Sequence, residues 1–201
     1  MRTLKDSVIV LKSINYSEAD KIMTLYGDNY GKYTIIAKGV RKIKSKNRGN
    51  IQTMCQSEIS FFQGRRMGIL KEAKLIYYPE IDNIDYLNVK RAFYPLLRLL
   101  AEGDSDREIF QLLVKLLKSN FSEKNVNNFL LIFLQKEGYI NDLKKCSLCQ
   151  SKENFQYINP ATLEIICKDC YKKIEKSDNM EYRKIDNYMK RRSLSELLDN
   201  Y

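Results

Sequence analysis

The hydrophobic pattern of this chain changes its period near Pro79, and this change constrains the fold more than any other feature. Before Pro79, short runs rich in β-branched and aromatic residues alternate with turn residues such as Gly27-Asp28-Asn29 and Gln63-Gly64. Five such runs predict a small closed β-barrel, because closure leaves no exposed sheet edge. The predicted strands are Ser7–Lys12, Lys21–Tyr26, Lys32–Ala37, Thr53–Phe62 and Gly68–Tyr77.

After Pro79 the apolar residues recur at helical spacing. A first stripe runs from Leu87 to Leu100 and contains Pro95, which predicts a kink or a late start. The segment Ser105–Glu108 has the form of a capping box that opens a second helix, and Ser122 opens a third. The chain is therefore predicted to be an α+β protein, with an N-terminal five-stranded barrel followed by an α-helical domain.

The 201 residues are long enough for more than one domain. We predict a barrel over residues 1–80, a helical domain over 81–145, a cysteine segment over 146–170, and a C-terminal helical segment over 171–201 that packs on the helical domain. Of the net charge of +10, residues 1–80 carry +8, with 15 basic and 7 acidic side chains. A polyanionic partner is therefore expected to meet the barrel.

Several enzyme classes are disfavoured by composition. The chain contains no histidine, which removes the commonest general base and the His-ligated catalytic metal sites. It also lacks a glycine-rich phosphate loop. A metal-dependent nuclease would need clustered carboxylates, whereas the close pairs Asp82 with Asp85 and Asp104 with Asp106 stand near helix starts, where capping explains them. We expect a protein that is not an enzyme.

Neither export nor membrane insertion is indicated. The N-terminal apolar run Val8–Leu11 is too short for a signal peptide, and the longest apolar stretch, Phe129–Leu134, is too short to span a bilayer. We expect a cytoplasmic protein without a membrane partner.

Four of the five cysteines form two CxxC doublets. In a cytosolic chain this spacing favours one structural Zn²⁺, because each doublet wraps two thiolates onto one turn and four sulfurs complete a tetrahedron. An unmetallated or redox-active dithiol is the alternative, and iron is a second metal that four thiolates accept. The predicted ligands are Cys146, Cys149, Cys167 and Cys170, whereas Cys55 is interpreted as a small buried apolar residue.

A run of cations without an intervening acid follows the third predicted strand. Such a loop on a small barrel is typical of a groove that tracks nucleic-acid phosphates, with aromatic side chains on which bases stack. A solvated surface loop is the alternative interpretation. The predicted DNA-binding residues are Lys38, Arg41, Lys42, Lys44, Lys46 and Arg48, with Arg65 and Arg66 at a later turn, and the candidate stacking residues are Tyr30, Tyr33, Phe61 and Phe62.

Three motifs in the barrel half, Ser17-Glu-Ala-Asp-Lys-Ile-Met-Thr-Leu25, Gly31-Lys32 and Ile36-Ala-Lys-Gly-Val-Arg41, together carry a family pattern. With the helical region and the four cysteines behind them, the chain resembles the RecO family of bacterial recombination mediators. The resemblance implies an OB-fold barrel that binds single- and double-stranded DNA and anneals complementary strands in the nucleoid. It also implies cooperation with RecR in loading RecA onto strands coated by single-stranded-DNA-binding protein, without catalysis.

Within the resemblance, the AKG-x-R segment places Lys38 and Arg41 on the DNA-facing loop, followed by Lys42, Lys44 and Arg48. An alternative from another class is a zinc-ribbon transcription or translation factor that binds a protein partner through its C-terminal half. The two differ in which half of the chain holds nucleic acid.

Overall fold

A computed structural model describes residues 2–64, 67–80, 84–142, 145–153, 155–159, 164–174 and 182–184. The chain divides into two compact units, residues 1–129 and residues 130–201. The finer division into four segments remains a prediction. Most of the C-terminal helical segment predicted over residues 171–201 lies outside the described residues.

Five strands form the N-terminal barrel, as the alternating pattern predicted. They are β1 (Thr3–Tyr16), β2 (Asp20–Gly27), β3 (Gly31–Ala37), β4 (Gln56–Phe62) and β5 (Gly68–Tyr77). The fourth strand begins at Gln56 and not at the expected Thr53, because Thr53 and Met54 form a turn in which Met54 has a φ of 72°.

The barrel closes in the order β1-β2-β3-β5-β4, and β4 returns to pair with β1. All pairs are antiparallel except β3 with β5, which pair in parallel at Ile35–Gly68 and Ile36–Ile69. This closed five-stranded arrangement is an OB fold, in agreement with the sequence prediction. Its interior is filled by side chains that alternate inward along the strands, among them Val8, Val10, Met23, Leu25 and Ile35.

The residues between β3 and β4, numbers 38–55, contain successive turns instead of a strand or helix. Backbone hydrogen bonds from Lys42 to Gly39 and from Ser45 to Lys42 close the first two turns at 3.1 and 3.0 Å. Val40, Ile51 and Cys55 are buried in the barrel core. The segment is therefore anchored at both ends, and its cations project from a fixed base.

Three helices follow the barrel: α1 (Tyr86–Leu99), α2 (Arg107–Lys118) and α3 (Glu123–Lys136). Pro95 lies inside α1, whose N-cap is Asp85. The N-cap of α2 is Asp106 and not Ser105 as the capping-box pattern suggested. Asp106 Oδ1 accepts hydrogen bonds from the backbone N–H groups of Glu108 and Ile109 at 2.7 and 3.1 Å, which fixes the first turn.

The Gly31-Lys32 pair joins the barrel to the helices that follow it. Lys32, 9% exposed, donates from Nζ to the carbonyl oxygen of Leu97 near the end of α1, at 3.0 Å. Its carbonyl oxygen accepts from the N–H of Gly103 at 2.8 Å, and its own N–H donates to Asp104 at 3.3 Å. A positively charged side chain is electrostatically favourable at a helix C-terminus, so Lys32 has a structural role.

Beyond the end of α3, the described residues of the second unit form a small antiparallel sheet in the order β7-β6-β8 and a short helix. Its elements are β6 (Phe155–Ile158), β7 (Ile165–Cys167), α4 (Lys168–Ile174) and β8 (Arg183–Lys184). Among the helices that the structure describes, none is both long and apolar enough to cross a membrane.

Candidate nucleic-acid interface and metal centre

The cations of the 38–48 loop all lie at the surface. The side chains of Lys38, Arg41, Lys42, Lys44, Lys46 and Arg48 are exposed. Ile43, in their midst, is 90% exposed, which leaves a large apolar side chain among the charges. Six exposed cations in one turn-rich loop give this part of the barrel surface a positive potential. The remaining two predicted DNA-binding residues, Arg65 and Arg66, lie outside the described residues.

Arg41 is bonded to the turn between β1 and β2, whereas the backbone of Arg48 is bonded within the loop. The backbone N–H of Arg41 donates to the carbonyl oxygen of Ala19 at 2.9 Å, and Arg41 Nη1 donates to that of Ser17 at 3.3 Å. The N–H of Arg48 donates to the carbonyl of Ser45 at 3.3 Å. Asn47 adds an anchor to β5, since its Oδ1 accepts from the N–H of Ala73 at 3.0 Å.

A cavity of about 320 Å³ opens at the base of the loop. It is lined by Asn15, Lys21, Val40, Arg41, Arg48 and Ile51. Lys21 is not among the predicted DNA-binding residues, because in the sequence it stands apart from the cationic run. It reaches the cavity because β2 pairs with both neighbours here, placing Lys21 opposite Asn15 and Ala37. The strand register therefore brings Lys21 to the cavity beside Arg41 and Arg48.

The candidate stacking residues fall into two groups. Tyr33 and Phe61 stack on each other, with ring centroids 5.2 Å apart and an interplanar angle of 25°, and Phe61 is buried. Tyr30, 37% exposed, meets both rings edge-on. Lys71 Nζ lies 5.8 Å from the centroid of the Phe62 ring. Tyr33 and Phe61 thus serve barrel packing, and Tyr30 leaves more of its ring accessible.

Tyr33 also takes part in a partly exposed polar cluster around the buried carboxyl of Asp6. Its hydroxyl donates to Asp6 Oδ2 at 3.2 Å, and Asn29 donates to Asp6 Oδ1 from its backbone N and its Nδ2 at 3.0 and 2.9 Å. Burial raises the pKa of Asp6 above its ordinary value, although these hydrogen bonds oppose the shift. Burial and the Asp6 carboxylate likewise raise the pKa of Tyr33, so its phenol remains a donor.

The four cysteines of the CxxC doublets converge in the second unit. All four Sγ atoms lie within 4.8 Å of one another, and Cys149 Sγ is 3.7 Å from Cys167 Sγ. Tetrahedral Zn²⁺ with Zn–S bonds of about 2.3 Å requires sulfurs about 3.8 Å apart, so the spacing fits this geometry. The predicted cluster is therefore placed to hold one metal ion, and Cys55, buried in the barrel, is separate from it.

Each doublet sits on a different backbone support. The first occupies a turn in which the N–H of Gln150 donates to the carbonyl of Cys146 at 2.9 Å, and Gln150 has a φ of 60°. The second spans the junction of β7 with α4. Two separate supports that aim four thiols at one point are typical of a structural metal centre.

The thiols differ in their acidity. Burial alone would raise the pKa of Cys146, but backbone N–H groups, including that of Cys167 at 3.4 Å, lower it to about 6. Burial and the neighbouring sulfurs raise the pKa of Cys170 to about 12. Several thiolates at this distance repel one another unless a cation compensates their charge. The donor set thus fits a thiophilic divalent cation.

Two family models match the chain and together cover most of it. The model described as Recombination protein O N terminal matches residues 1–79, and that described as Recombination protein O C terminal matches residues 96–191.

Named relatives are similar over most of their length. A DNA repair protein RecO from Desulforamulus reducens is 34% identical over 178 residues, which cover 85% of this chain and 70% of the relative. One from Thermodesulfovibrio yellowstonii is 33% identical over 175 residues, covering 81% and 68%. A third, from Syntrophomonas wolfei, is 26% identical over 174 residues, covering 83% and 70%.

Proposed function

Because the chain belongs to the RecO family of DNA repair proteins, we propose that it is a non-enzymatic recombination mediator that binds and anneals single-stranded DNA. Together with RecR it helps to load RecA onto strands coated by single-stranded-DNA-binding protein, and it acts in the cytoplasm, on the nucleoid. The observation that supports this most is the exposed cationic 38–48 loop on a closed OB-fold barrel.

The mechanism that follows is electrostatic. Lysine and arginine side chains of the loop replace the counterions of the phosphates and reduce the repulsion between two strands. Bases held by their backbone stay accessible for pairing with a complementary strand. Because phosphate contacts carry no base information, binding by this loop is expected to be independent of sequence.

The cysteine cluster holds one Zn²⁺ through Cys146, Cys149, Cys167 and Cys170 in this proposal. With four protein ligands the ion has no open position for water, so it organises the second unit and takes no part in a reaction. The barrel, which contains the loop, lies in the other compact unit.

The test compares two triple variants of the full chain that remove the same charge from the same barrel. The first replaces Arg41, Lys42 and Lys44 by Gln, and the control replaces Lys5, Lys12 and Lys74, which are also exposed. Binding of labelled single strands is measured by fluorescence anisotropy over a range of salt. If about six phosphates are neutralised, log affinity falls with log salt with a slope near −4 for the wild type.

The loop variant is expected to bind at least about tenfold more weakly, with a shallower salt slope, and the control to stay close to the wild type. Equal losses in both variants would show that only net charge matters. A salt slope near zero for the wild type would contradict the electrostatic mechanism itself.

A further inference from the structure

The cavity at the base of the 38–48 loop gathers cations from two separate parts of the chain. Lys21 comes from β2, whereas Arg41 and Arg48 come from opposite ends of the loop. The lining contains no acidic residue. In the part of the chain that the structure describes, none of the three forms an ion pair with a carboxylate. We propose that this cavity is a phosphate-binding pocket, in which Lys21, Arg41 and Arg48 together hold one phosphate group of a nucleic acid.

The nearest acid along the chain does not neutralise the cavity. Asp20 precedes Lys21 in β2, and its Oδ1 accepts a hydrogen bond from the backbone N–H of Gly39 at 2.7 Å. That bond holds the first turn of the loop against β2, and Asp20 is not among the residues that line the cavity. The local charge of the pocket is therefore positive.

The pocket is built on an ordered support. The buried side chains of Val40 and Ile51, 3% and 1% exposed, form its apolar wall. The Arg41 guanidinium is oriented by its bond to the Ser17 carbonyl, and Lys21 rises from a strand paired on both sides. Cations held in place before binding lose less conformational entropy when an anion arrives.

Phosphate is the anion that this lining fits best. Guanidinium groups present planar pairs of donors that match two phosphate oxygens, and the lysine ammonium adds a point charge. A volume of about 320 Å³ leaves room for the phosphate together with an attached sugar. Further exposed cations, such as Lys38 and Lys42, lie in the same loop outside the pocket lining and extend the positive surface along which a polyanion runs. This inference rests on the proposed function and adds to it the location of one phosphate.

The experiment compares two double variants of the full chain with equal loss of charge. The pocket variant is Lys21→Gln with Arg48→Gln, and the control is Lys44→Gln with Lys46→Gln, two loop residues that do not line the cavity. The first probe is inorganic pyrophosphate, titrated by calorimetry, which reports on the pocket without DNA. The second is a labelled dT oligonucleotide measured by anisotropy, prepared with a 5′-phosphate or a 5′-hydroxyl.

We expect the wild type and the control to bind pyrophosphate and the pocket variant to lose this binding. On the oligonucleotide, the pocket variant is expected to lose about tenfold more affinity than the control. If the pocket variant loses the same affinity for the 5′-phosphorylated and the 5′-hydroxyl oligonucleotide, the ligand is an internal phosphodiester. A loss confined to the 5′-phosphorylated strand identifies a terminal phosphate. The pair Lys21→Arg with Arg48→Lys keeps the charge and is expected to restore most pyrophosphate binding, which separates charge from a folding defect.

If the pocket variant and the control bind each probe with equal affinity, the proposal of a phosphate pocket is contradicted. Failure of the wild type to bind the oligonucleotide, while pyrophosphate still binds, would instead overturn the proposed function and the nucleic-acid source of the phosphate. A third outcome would overturn the pocket proposal alone. In it, the wild type binds DNA but not pyrophosphate, and the pocket variant and the control lose DNA affinity equally.

Discussion

The hydroxyl of Tyr26 in β2 accepts a hydrogen bond from the backbone N–H of Asp106, the N-cap of α2, at 3.1 Å. The same hydroxyl lies 3.3 Å from the Asp106 carbonyl oxygen, to which it donates. Tyr26 is fully buried. The start of α2 is therefore fixed on the barrel by a side chain 80 residues away in sequence, and this contact joins strand and helix within one compact unit.

Replacing Tyr26 by Phe removes this hydroxyl and leaves backbone polar groups of Asp106 without that partner. We expect the free energy of unfolding to fall by about 1–3 kcal/mol. Urea denaturation followed by circular dichroism measures this loss. The control, Tyr16→Phe, changes a tyrosine that is 51% exposed and should alter stability by less than about 0.5 kcal/mol. Equal effects of the two changes would contradict the role of the Tyr26 hydroxyl.

Gly31 provides a backbone test of the junction between the barrel and the helices. It has a φ of 61°, and a Cβ at this position would clash with the backbone carbonyl of Asp104. Gly31→Ala is therefore expected to cost at least about 2 kcal/mol, from both clash and backbone strain. Gly103→Ala has a similar φ of 87° but open space around it, so it isolates the strain. A loss for Gly31→Ala no larger than for Gly103→Ala would show that the close approach has no energetic consequence.

The buried carboxyl of Asp6 predicts a pH dependence of stability. Because burial raises its folded-state pKa above 3.8, the folded protein binds the proton more tightly than the unfolded chain does. The stabilisation from this group is present at low pH and is lost as pH rises through the folded-state pKa. Wild-type stability relative to Asp6→Asn should thus improve as pH falls from 7 towards 4. A difference that stays constant over that range, in urea titrations of both proteins, would contradict this assignment.

Metal removal is expected to unfold the second unit. Structural Zn²⁺ in such segments contributes on the order of 10 kcal/mol, and the local sheet has only short strands around the four thiols. Cys149→Ser should lower the zinc content, measured by plasma emission spectrometry, from about one ion per chain towards zero. Cys55→Ala removes a cysteine from the barrel and should leave the zinc content unchanged. Equal zinc contents in both variants would contradict the cluster as the binding site.

Local patterns predicted most of the elements that carry these sites. The period of the apolar residues predicted the five strands. The cationic loop was predicted from a continuous run of residues, and the cysteine cluster from the short spacing within each CxxC doublet. Small errors arose where neighbouring residues compete for one role. Ser105 and Asp106 both qualify as an N-cap, and the carboxylate of Asp106, which accepts two backbone bonds, takes the position.

Contacts between distant segments could not be predicted in the same way. The parallel pairing of β3 with β5, the cap that Lys32 supplies to α1, and the approach of Lys21 to Arg41 and Arg48 all depend on barrel closure and strand register. A one-residue shift of β2 would turn Lys21 to the other face of the sheet. These relationships therefore became visible only with the three-dimensional structure.

In the proposed function, the 38–48 loop is the surface on which strands are annealed. Its most direct test follows the pairing of two complementary labelled oligonucleotides, first naked and then coated with the single-stranded-DNA-binding protein. The wild type is predicted to anneal both forms, and the Arg41, Lys42 and Lys44 to Gln variant is predicted to be at least about tenfold slower on each. A wild type that binds the strands without pairing them, or a loop variant that anneals at the wild-type rate, would contradict it.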